Sequence, residues 1–192
     1  MRPVRSILGF LLLLVWSPPS FAASEAELWA ALRTPGHIAV MRHALAPGTG
    51  DPANFDIDDC ATQRNLSDAG RRQAKRTGAA FRENGITQAV VFSSGWCRCR
   101  ETAELLQLGA VSVLPALNSF FRNRERGAPQ THALREKIAS MDLSRPVIMS
   151  THQVNISALF NMWTNSGEIV VARRDAQGKL SVIGKITPRS TD

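Results

Sequence analysis

Short apolar runs and longer amphipathic segments alternate along this chain of 192 residues. An apolar run of four to eight residues bounded by turn-forming residues is typical of a buried strand. Four such runs are present, at 37–44, 89–92, 111–117 and 146–150. Near the C-terminus, EIVVARRD and KLSVIGKI flank the turn sequence AQG, which predicts a hairpin of two further strands.

Amphipathic segments between these strands predict helices. The clearest follows Ser67, which suits a helix N-cap, and extends through Phe81 to Gly85, where the helix should end. The other predicted helices are 24–32, 93–108 (after an opening turn), 132–141 and 154–163. Residues 48–60 are rich in Gly, Pro, Asp and Asn and predict a surface loop.

The alternation of strands and helices favours an α/β fold. We expect a three-layer sandwich in which a mainly parallel central sheet carries helices on both faces. No internal repeat or low-complexity linker interrupts the chain after residue 23, so residues 24–192 are predicted to form one domain. The hydrophobic fraction of 44% and the charged fraction of 20% are ordinary for a globular protein.

The first 23 residues have the layout of a secretory signal peptide. A basic start, MRPVRS, precedes the apolar run ILGFLLLLVW and the small-residue segment SPPSFAAS. A retained membrane anchor is the alternative, but it needs about 20 apolar residues and this run is much shorter. We therefore expect cleavage after Ala22 or Ala23, a periplasmic or secreted location, and no membrane span in the mature protein.

The net charge indicates possible partners, and the cysteines predict a disulfide. The formal charge of +7 suits an anionic partner such as nucleic acid, anionic lipid or a small phosphorylated ligand, or simply a basic surface. Cys60, Cys97 and Cys99 in an exported protein predict one disulfide and one free thiol. Cys97 and Cys99 would point in different directions, so we favour a Cys60–Cys97 bridge with Cys99 buried.

Cationic side chains follow the predicted strands where those strands end. Arg42 and His43 follow the first, Ser94 and Arg98 the second, and His152 the fourth, while Arg64 precedes the helix capped at Ser67. Ligands of open α/β sheets bind at the carboxyl ends of the strands. Arginine pairs well with phosphate oxygens, and helix N-termini add backbone donors. This clustering predicts a phosphate-binding pocket.

These motifs, taken in order, resemble those of the histidine phosphatase superfamily, whose fold is phosphoglycerate mutase-like. They are MRHA, QRNLSDAGRRQA, SSGWCRCRETA and STHQVNI, spread over about 110 residues. The short chain resembles small exported bacterial members, some of which dephosphorylate lipopolysaccharide core sugars.

The resemblance implies a role for each matching residue. His43 would be the nucleophile and form a phosphohistidine, Arg42 and Arg98 would clamp the phosphoryl oxygens, and His152 would donate to them. Arg64 is expected to bind substrate. Ser94 would either donate to phosphate or cap the following helix. The arginines should keep His43 neutral by lowering its pKa, and a backbone carbonyl should fix its tautomer.

Two positions depart from the family pattern. Ala44 replaces the usual glycine after Arg-His, and neither of the carboxylates that serve as general acid in the family's two branches is present. Glu125 is the nearest candidate acid, with a solvated loop charge as the alternative. The segment RNRER, 122–126, either binds additional negative charge on the substrate or is a solvated basic loop.

The sequence therefore favours an exported phosphomonoesterase acting on a phosphorylated small molecule, glycan or lipid. We expect no metal and no organic cofactor, because no His, Cys, Asp and Glu set has metal-ligand spacing and no glycine-rich nucleotide loop is present. A non-catalytic binder of phosphorylated sugars or lipids is the main alternative. A nucleic-acid binder is less favoured, since the chain has no Tyr and few aromatic residues.

Overall fold

The computed structural model describes residues 23–188, which form a six-stranded sheet between two layers of helices. The strands are β1 His37–Arg42, β2 Val90–Ser93, β3 Val111–Val113, β4 Val147–Thr151, β5 Ile169–Arg174 and β6 Leu180–Ile186. The helices are α1 Glu25–Leu32, α2 Asp68–Glu83, α3 Cys97–Leu105, α4 Gly127–Ala139 and α5 Gln153–Phe160. The α/β three-layer sandwich is confirmed. The predicted signal peptide lies outside the described residues.

The sheet has the strand order β3-β2-β4-β1-β5-β6. The first four strands of this order are parallel, and β5 and β6 form an antiparallel hairpin at the edge next to β1. Because β1, β2 and β4 are parallel neighbours, their carboxyl ends meet at one edge. The residues that follow these three strands are therefore brought together.

The alternation along β1 divides the core into two layers. Ala39 and Met41 face α1, α2 and α3, whereas Ile38 and Val40 face α4 and α5. All four side chains are fully buried. A strand buried on both faces has to be apolar at successive positions, which is why β1 is a continuous apolar run.

Helix α2 begins and packs as its sequence requires. The Ser67 hydroxyl accepts a hydrogen bond from the Gly70 amide, so the predicted N-cap is confirmed. Gly70 also lies against the backbone of Leu45, where a Cβ would fall 2.0 Å from the carbonyl oxygen. This close approach is available only to glycine, and it holds the segment just after His43 against α2.

Three predicted boundaries differ from the structure. β3 ends at Val113 and is followed by a 3₁₀ turn from Pro115 to Leu117, because Pro115 has no N–H to donate to a sheet. Helix α4 begins at Gly127 rather than at residue 132, since the first turn of a helix tolerates Pro129. Helix α5 ends at Phe160, where Asn161 takes a left-handed conformation, so Trp163 lies outside the helix.

Candidate active site

A cavity of about 780 Å³ opens at the carboxyl ends of β1, β2 and β4. Five of the residues expected from the sequence line it, and we call them the inner cradle: Arg42, His43, Arg64, Arg98 and His152. They reach the cavity from four separate chain segments. Arg42 ends β1 and His43 follows it. The segment before α2 carries Arg64, the first turn of α3 carries Arg98, and the end of β4 is followed by His152.

His43 is held in one orientation and kept neutral. Its ring is 2% exposed, and its Nδ1 lies 2.8 Å from the carbonyl oxygen of Ala44. Nδ1–H donates to this carbonyl, which leaves the lone pair on Nε2. Burial first, and the Arg98 charge next, lower the pKa of His43 from 6.5 to about 3. The expected tautomer is therefore confirmed, but burial contributes more to the low pKa than the arginines do.

The three arginines of the inner cradle are fixed by hydrogen bonds to the protein. Arg42 donates to the carbonyl of Thr164 at 2.9 Å, and Arg64 donates to the carbonyls of Gly50, at 2.8 Å, and Ala46. These bonds leave other guanidinium N–H groups unused. Among the described residues, the buried Nε groups of Arg42 and Arg98 have no hydrogen-bond partner. Buried donors seldom remain unpaired, so an oxyanion would satisfy this site.

Asp51 belongs to the site although the sequence analysis did not select it. Its Oδ1 accepts from Arg98 Nη1 at 2.6 Å, and its Oδ2 accepts from Arg98 Nη2 at 3.3 Å and from Trp96 Nε1 at 3.0 Å. The backbone amide of Arg64 also donates to it, at 3.1 Å. Burial acts to raise the pKa of Asp51, but the hydrogen bonds from Arg98 and its charge outweigh burial and hold the pKa below its ordinary value. The Asp51 carboxylate is therefore ionised and neutralises part of the positive charge.

The disulfide explains how Asp51 reaches this position. Cys60 and Cys97 are bonded, and Cys99 is free and buried, which confirms both cysteine expectations. Cys60 ends the loop that carries Asp51, and Cys97 precedes Arg98 in α3. The bridge therefore ties this loop to the helix of Arg98. The sequence could have indicated Asp51, because the predicted Cys60–Cys97 bridge brings the acidic residues of the 48–60 loop close to Arg98.

Ser94 lies behind His152 rather than on the cavity wall. Its side chain is fully buried, and its Oγ is 2.8 Å from His152 Nε2 and accepts from the Trp96 amide at 3.1 Å. Arg98 Nη2, which can only donate, lies 3.4 Å from His152 Nδ1. In this arrangement His152 accepts at Nδ1 and donates from Nε2 to Ser94. The Ser94 hydroxyl thus orients His152, and the structure does not support the expectation that it binds substrate in this conformation. The alternative, a cap of the next helix, is not observed either, because α3 has no side-chain cap.

Glu125 does not line the cavity. It is exposed in the 3₁₀ helix Arg124–Arg126, whereas Arg122 and Arg124 do line the cavity wall. The structure therefore does not support the expectation of Glu125 as general acid in this conformation. Among the residues of 23–188 that line the cavity, Asp51 carries the only carboxyl group, and it is ionised.

Residues 23–188 contain no group of three or more His, Cys, Asp or Glu residues placed to hold a metal ion. In the same range, no helix is long and apolar enough to cross a membrane.

Comparisons with known proteins agree with this geometry. The model of the histidine phosphatase superfamily (branch 1) matches residues 38–118. A mitochondrial serine/threonine-protein phosphatase, Pgam5 of Drosophila grimshawi, is 36% identical over 70 residues, which are 36% of this chain and 22% of the Drosophila protein. The chain thus spans about a fifth of that curated relative.

Solved structures match over most of the chain. The protein histidine phosphatase SixA, complexed with tungstate, superposes with a TM-score of 0.58 at 18% identity and covers 79% of this chain and 97% of SixA. A mycobacterial glucosyl-3-phosphoglycerate phosphatase superposes with a TM-score of 0.55 at 14% identity, over 76% of this chain and 96% of that protein. At these identities the two structures establish a shared fold.

Proposed function

We propose that this chain is a histidine phosphatase, an exported phosphomonoesterase that works through a phosphohistidine at His43. The match of residues 38–118 to the histidine phosphatase superfamily model and the fold shared with SixA support this proposal. One observation carries the proposal. His43 donates from Nδ1 to Ala44 and so presents an unprotonated Nε2 to a cavity lined by three inner arginines. A neutral imidazole nitrogen is a nucleophile, and the guanidinium groups stabilise charge on the phosphoryl oxygens during transfer.

The proposed reaction has two steps. His43 Nε2 attacks phosphorus, the N–P bond forms, and the ester P–O bond breaks as the alkoxide leaves with the bonding electrons and takes a proton from solvent. Water then attacks the phosphohistidine, the P–N bond breaks and returns its electron pair to Nε2, the water gives its proton to solvent, and inorganic phosphate is released. Arg42, Arg64 and Arg98 hold the phosphoryl oxygens through both steps, and their fixed positions require little reorganisation.

The ionised state of Asp51 bears on the choice of substrate. A carboxylate held by Arg98 with a lowered pKa is a poor proton donor to a leaving alkoxide. We therefore propose substrates whose leaving groups need little protonation, among phosphorylated small molecules, glycans and lipids, with lipopolysaccharide-type phosphates included. No second carboxylate from the described part of the chain lines the cavity, which favours one rival, a binder of phosphorylated sugars or lipids that uses the inner cradle without turnover.

Rapid acid and alkaline quenching after exposure to a ³²P-labelled phosphomonoester separates the two functions. An enzyme should give a labelled protein that is stable in alkali and labile in acid, and His43→Ala should abolish the label. His132→Ala is the matched control, because His132 is an exposed histidine on α4. A wild-type protein that binds the phosphomonoester but never becomes labelled would support the binder and reject the enzyme.

Export is part of the proposal and has its own test. In a bacterial host that expresses the full chain, we expect a periplasmic or secreted protein that begins at Ala23 or Ser24. Mass spectrometry of the fractionated protein measures its N-terminus. An intact N-terminus in the cytoplasmic fraction would contradict export without affecting the chemistry.

A further inference from the structure

The cavity extends beyond the inner cradle to an outer rim, which consists of Phe121, Arg122, Arg124 and Trp163. We propose that this rim is a second subsite that binds a ring and a second anionic group of the substrate. The preferred substrate is then a phosphomonoester in which a ring connects the scissile phosphate to a further phosphate or carboxylate. This inference rests on the proposed function and specifies its substrate class.

The charges of the inner cradle are balanced by a single phosphate. Its two histidines are neutral because burial lowers both pKa values. Its three guanidinium groups and the Asp51 carboxylate together leave two positive charges. A phosphomonoester carries close to two negative charges near pH 7. The inner cradle therefore has no need of a second anion.

The outer rim retains two positive charges that this balance does not use. Arg122 and Arg124 line the cavity, and neither forms an ion pair with any residue of 23–188. Glu125 lies between them in sequence and pairs with neither. Both rim arginines are therefore available to an anion that enters the cavity.

Contacts with the cavity wall distinguish these arginines from a solvated basic loop. Arg122 Nη2 donates to the backbone carbonyl of Asp51, and Arg124 Cζ lies 5.2 Å from the centroid of the Phe121 ring. A guanidinium at that distance from an aromatic ring is favourably placed for a cation–π interaction. Arg126, in the same 3₁₀ helix, does not line the cavity. Of the three arginines in residues 122–126, Arg122 and Arg124 therefore line the cavity and Arg126 does not.

The aromatic side chains of the rim are the reason for proposing a ring in the substrate. Phe121 is 42% exposed and Trp163 is 69% exposed, and they are two of the four large exposed hydrophobic residues in the described chain. Both line this cavity. Exposed aromatic faces beside fixed cations are suited to a ligand that has an apolar or planar ring next to an anion.

Asp51 limits the distance between the two anions. Arg98 binds its carboxylate, and Arg122 binds its backbone carbonyl. Covalent and hydrogen-bond dimensions then place the two guanidinium groups within about 10 Å of each other. This span fits a scissile phosphate and a second anion on opposite sides of one six-membered ring.

A matched pair of substrates tests the inference: phenyl phosphate and 4-carboxyphenyl phosphate, which differ by one carboxylate. The readout is the ratio of their kcat/KM values. The wild-type protein should prefer the carboxylated substrate by about tenfold, the range expected for one or two partly exposed charge pairs. In the double variant Arg122→Ala/Arg124→Ala, this preference should fall to about twofold or less.

Two further variants complete the test. Arg126→Ala removes the same charge outside the cavity and should leave the preference unchanged, while Arg124→Glu should reverse it in favour of phenyl phosphate. A preference that persists in the double variant, or that Arg126→Ala reduces equally, overturns the second subsite. Hydrolysis of both substrates without preference rejects this inference alone, whereas a wild-type protein that is never labelled at His43 rejects the proposed function.

Discussion

The inner cradle and the outer rim of the cavity both present arginines, but the protein holds them in different ways. Arg98 is 3% exposed, and its Nη1 and Nη2 both bind the half-buried carboxylate of Asp51. Arg124 is exposed, and its guanidinium lies over the ring of Phe121. The cradle is thus built from buried or half-buried, hydrogen-bonded charges, and the rim from exposed charges and exposed rings.

This difference separates two tasks that charge can perform. Groups that are already oriented stabilise a transition state without further reorganisation, which suits the inner cradle to chemistry. Exposed side chains remain screened by water and contribute modest energies, which suits the outer rim to selection among substrates. Changes in the cradle should therefore affect stability and turnover, and changes in the rim should affect substrate binding and preference.

Removal of the disulfide should have the largest effect on stability, because the bridge holds the loop of Asp51 against the helix that carries Arg98. The bridge closes a sequence separation of 37 residues, and the chain-entropy model gives a loss of about 4 kcal/mol in the free energy of unfolding for Cys60→Ala/Cys97→Ala. Urea denaturation measures the loss. Reductant should destabilise the wild type by a similar amount and leave the double variant unchanged; equal stability of all three would contradict the prediction.

Asp51→Asn tests whether the ion pair stabilises the cradle. The variant leaves Arg98 buried without a counter-charge, and we expect a loss of about 3 kcal/mol in the free energy of unfolding. Inorganic phosphate should inhibit this variant more strongly, because the cradle gains one positive charge. Asp58→Asn, an exposed acid of the same loop, is the control. Unchanged stability together with weaker phosphate inhibition would show that Asp51 does not act on Arg98.

Arg98→Lys retains the positive charge and removes the planar fork. Lysine lacks the planar fork that binds both Asp51 oxygens and presents further N–H groups to phosphate, so kcat/KM for phenyl phosphate should fall about 100-fold, or roughly 2.7 kcal/mol. Steady-state kinetics give the value, with the exposed Arg100→Lys as control. If Arg98→Lys remained within a fewfold of wild type, charge alone would be sufficient at this position.

The pH dependence of stability provides a further contrast. The unfolded chain protonates His43 near pH 6.5, but the folded protein does so only near its pKa of about 3. Between these values the unfolded state binds more protons, so the free energy of unfolding decreases as the pH falls through this window. The contribution of His43 is at most about 1.4 kcal/mol per pH unit.

Denaturation of His43→Asn and wild type at pH 7, 6 and 5 measures the contribution of His43 to this pH dependence. The slope of stability against pH should be smaller in His43→Asn than in the wild type. Identical slopes in the two proteins would contradict a lowered pKa of His43 in the folded state.

Trp163→Ala should have the smallest effect on stability, and it tests the rim rather than the cradle. Because Trp163 is 69% exposed, we expect its removal to change the free energy of unfolding by less than about 0.5 kcal/mol. The KM for phenyl phosphate should rise a fewfold, in line with about 1 kcal/mol for a lost aromatic contact. A large loss of stability would place Trp163 in the fold rather than in the subsite.

Most of the fold could be predicted because its signals are local. The continuous apolar run of β1, the Ser67 cap of α2 and the C-terminal hairpin each depend on neighbouring residues, and the structure confirms all three. The boundaries of β3 and α4 could not be predicted, because Pro115 and Pro129 give similar sequence signals and act differently in a strand and in the first turn of a helix.

The candidate site was predictable in part for the same reason. His43, Arg98 and His152 follow strands of one parallel sheet, so topology alone brings them together. The contacts of Ser94 and Glu125 depend on side-chain directions that strand and helix patterns do not encode. Ser94 is turned toward His152, and Glu125 lies away from the cavity wall.

By itself, the order of apolar runs and strand-end cations determined an α/β sandwich with one anion-binding edge, because strand period and parallel pairing follow from local chemistry. Only the tertiary structure decided that Asp51 pairs with Arg98, that Ser94 lies behind His152 and that a second pair of arginines faces the same cavity. Those contacts join residues tens of positions apart, and their geometry depends on how whole loops pack against the sheet edge.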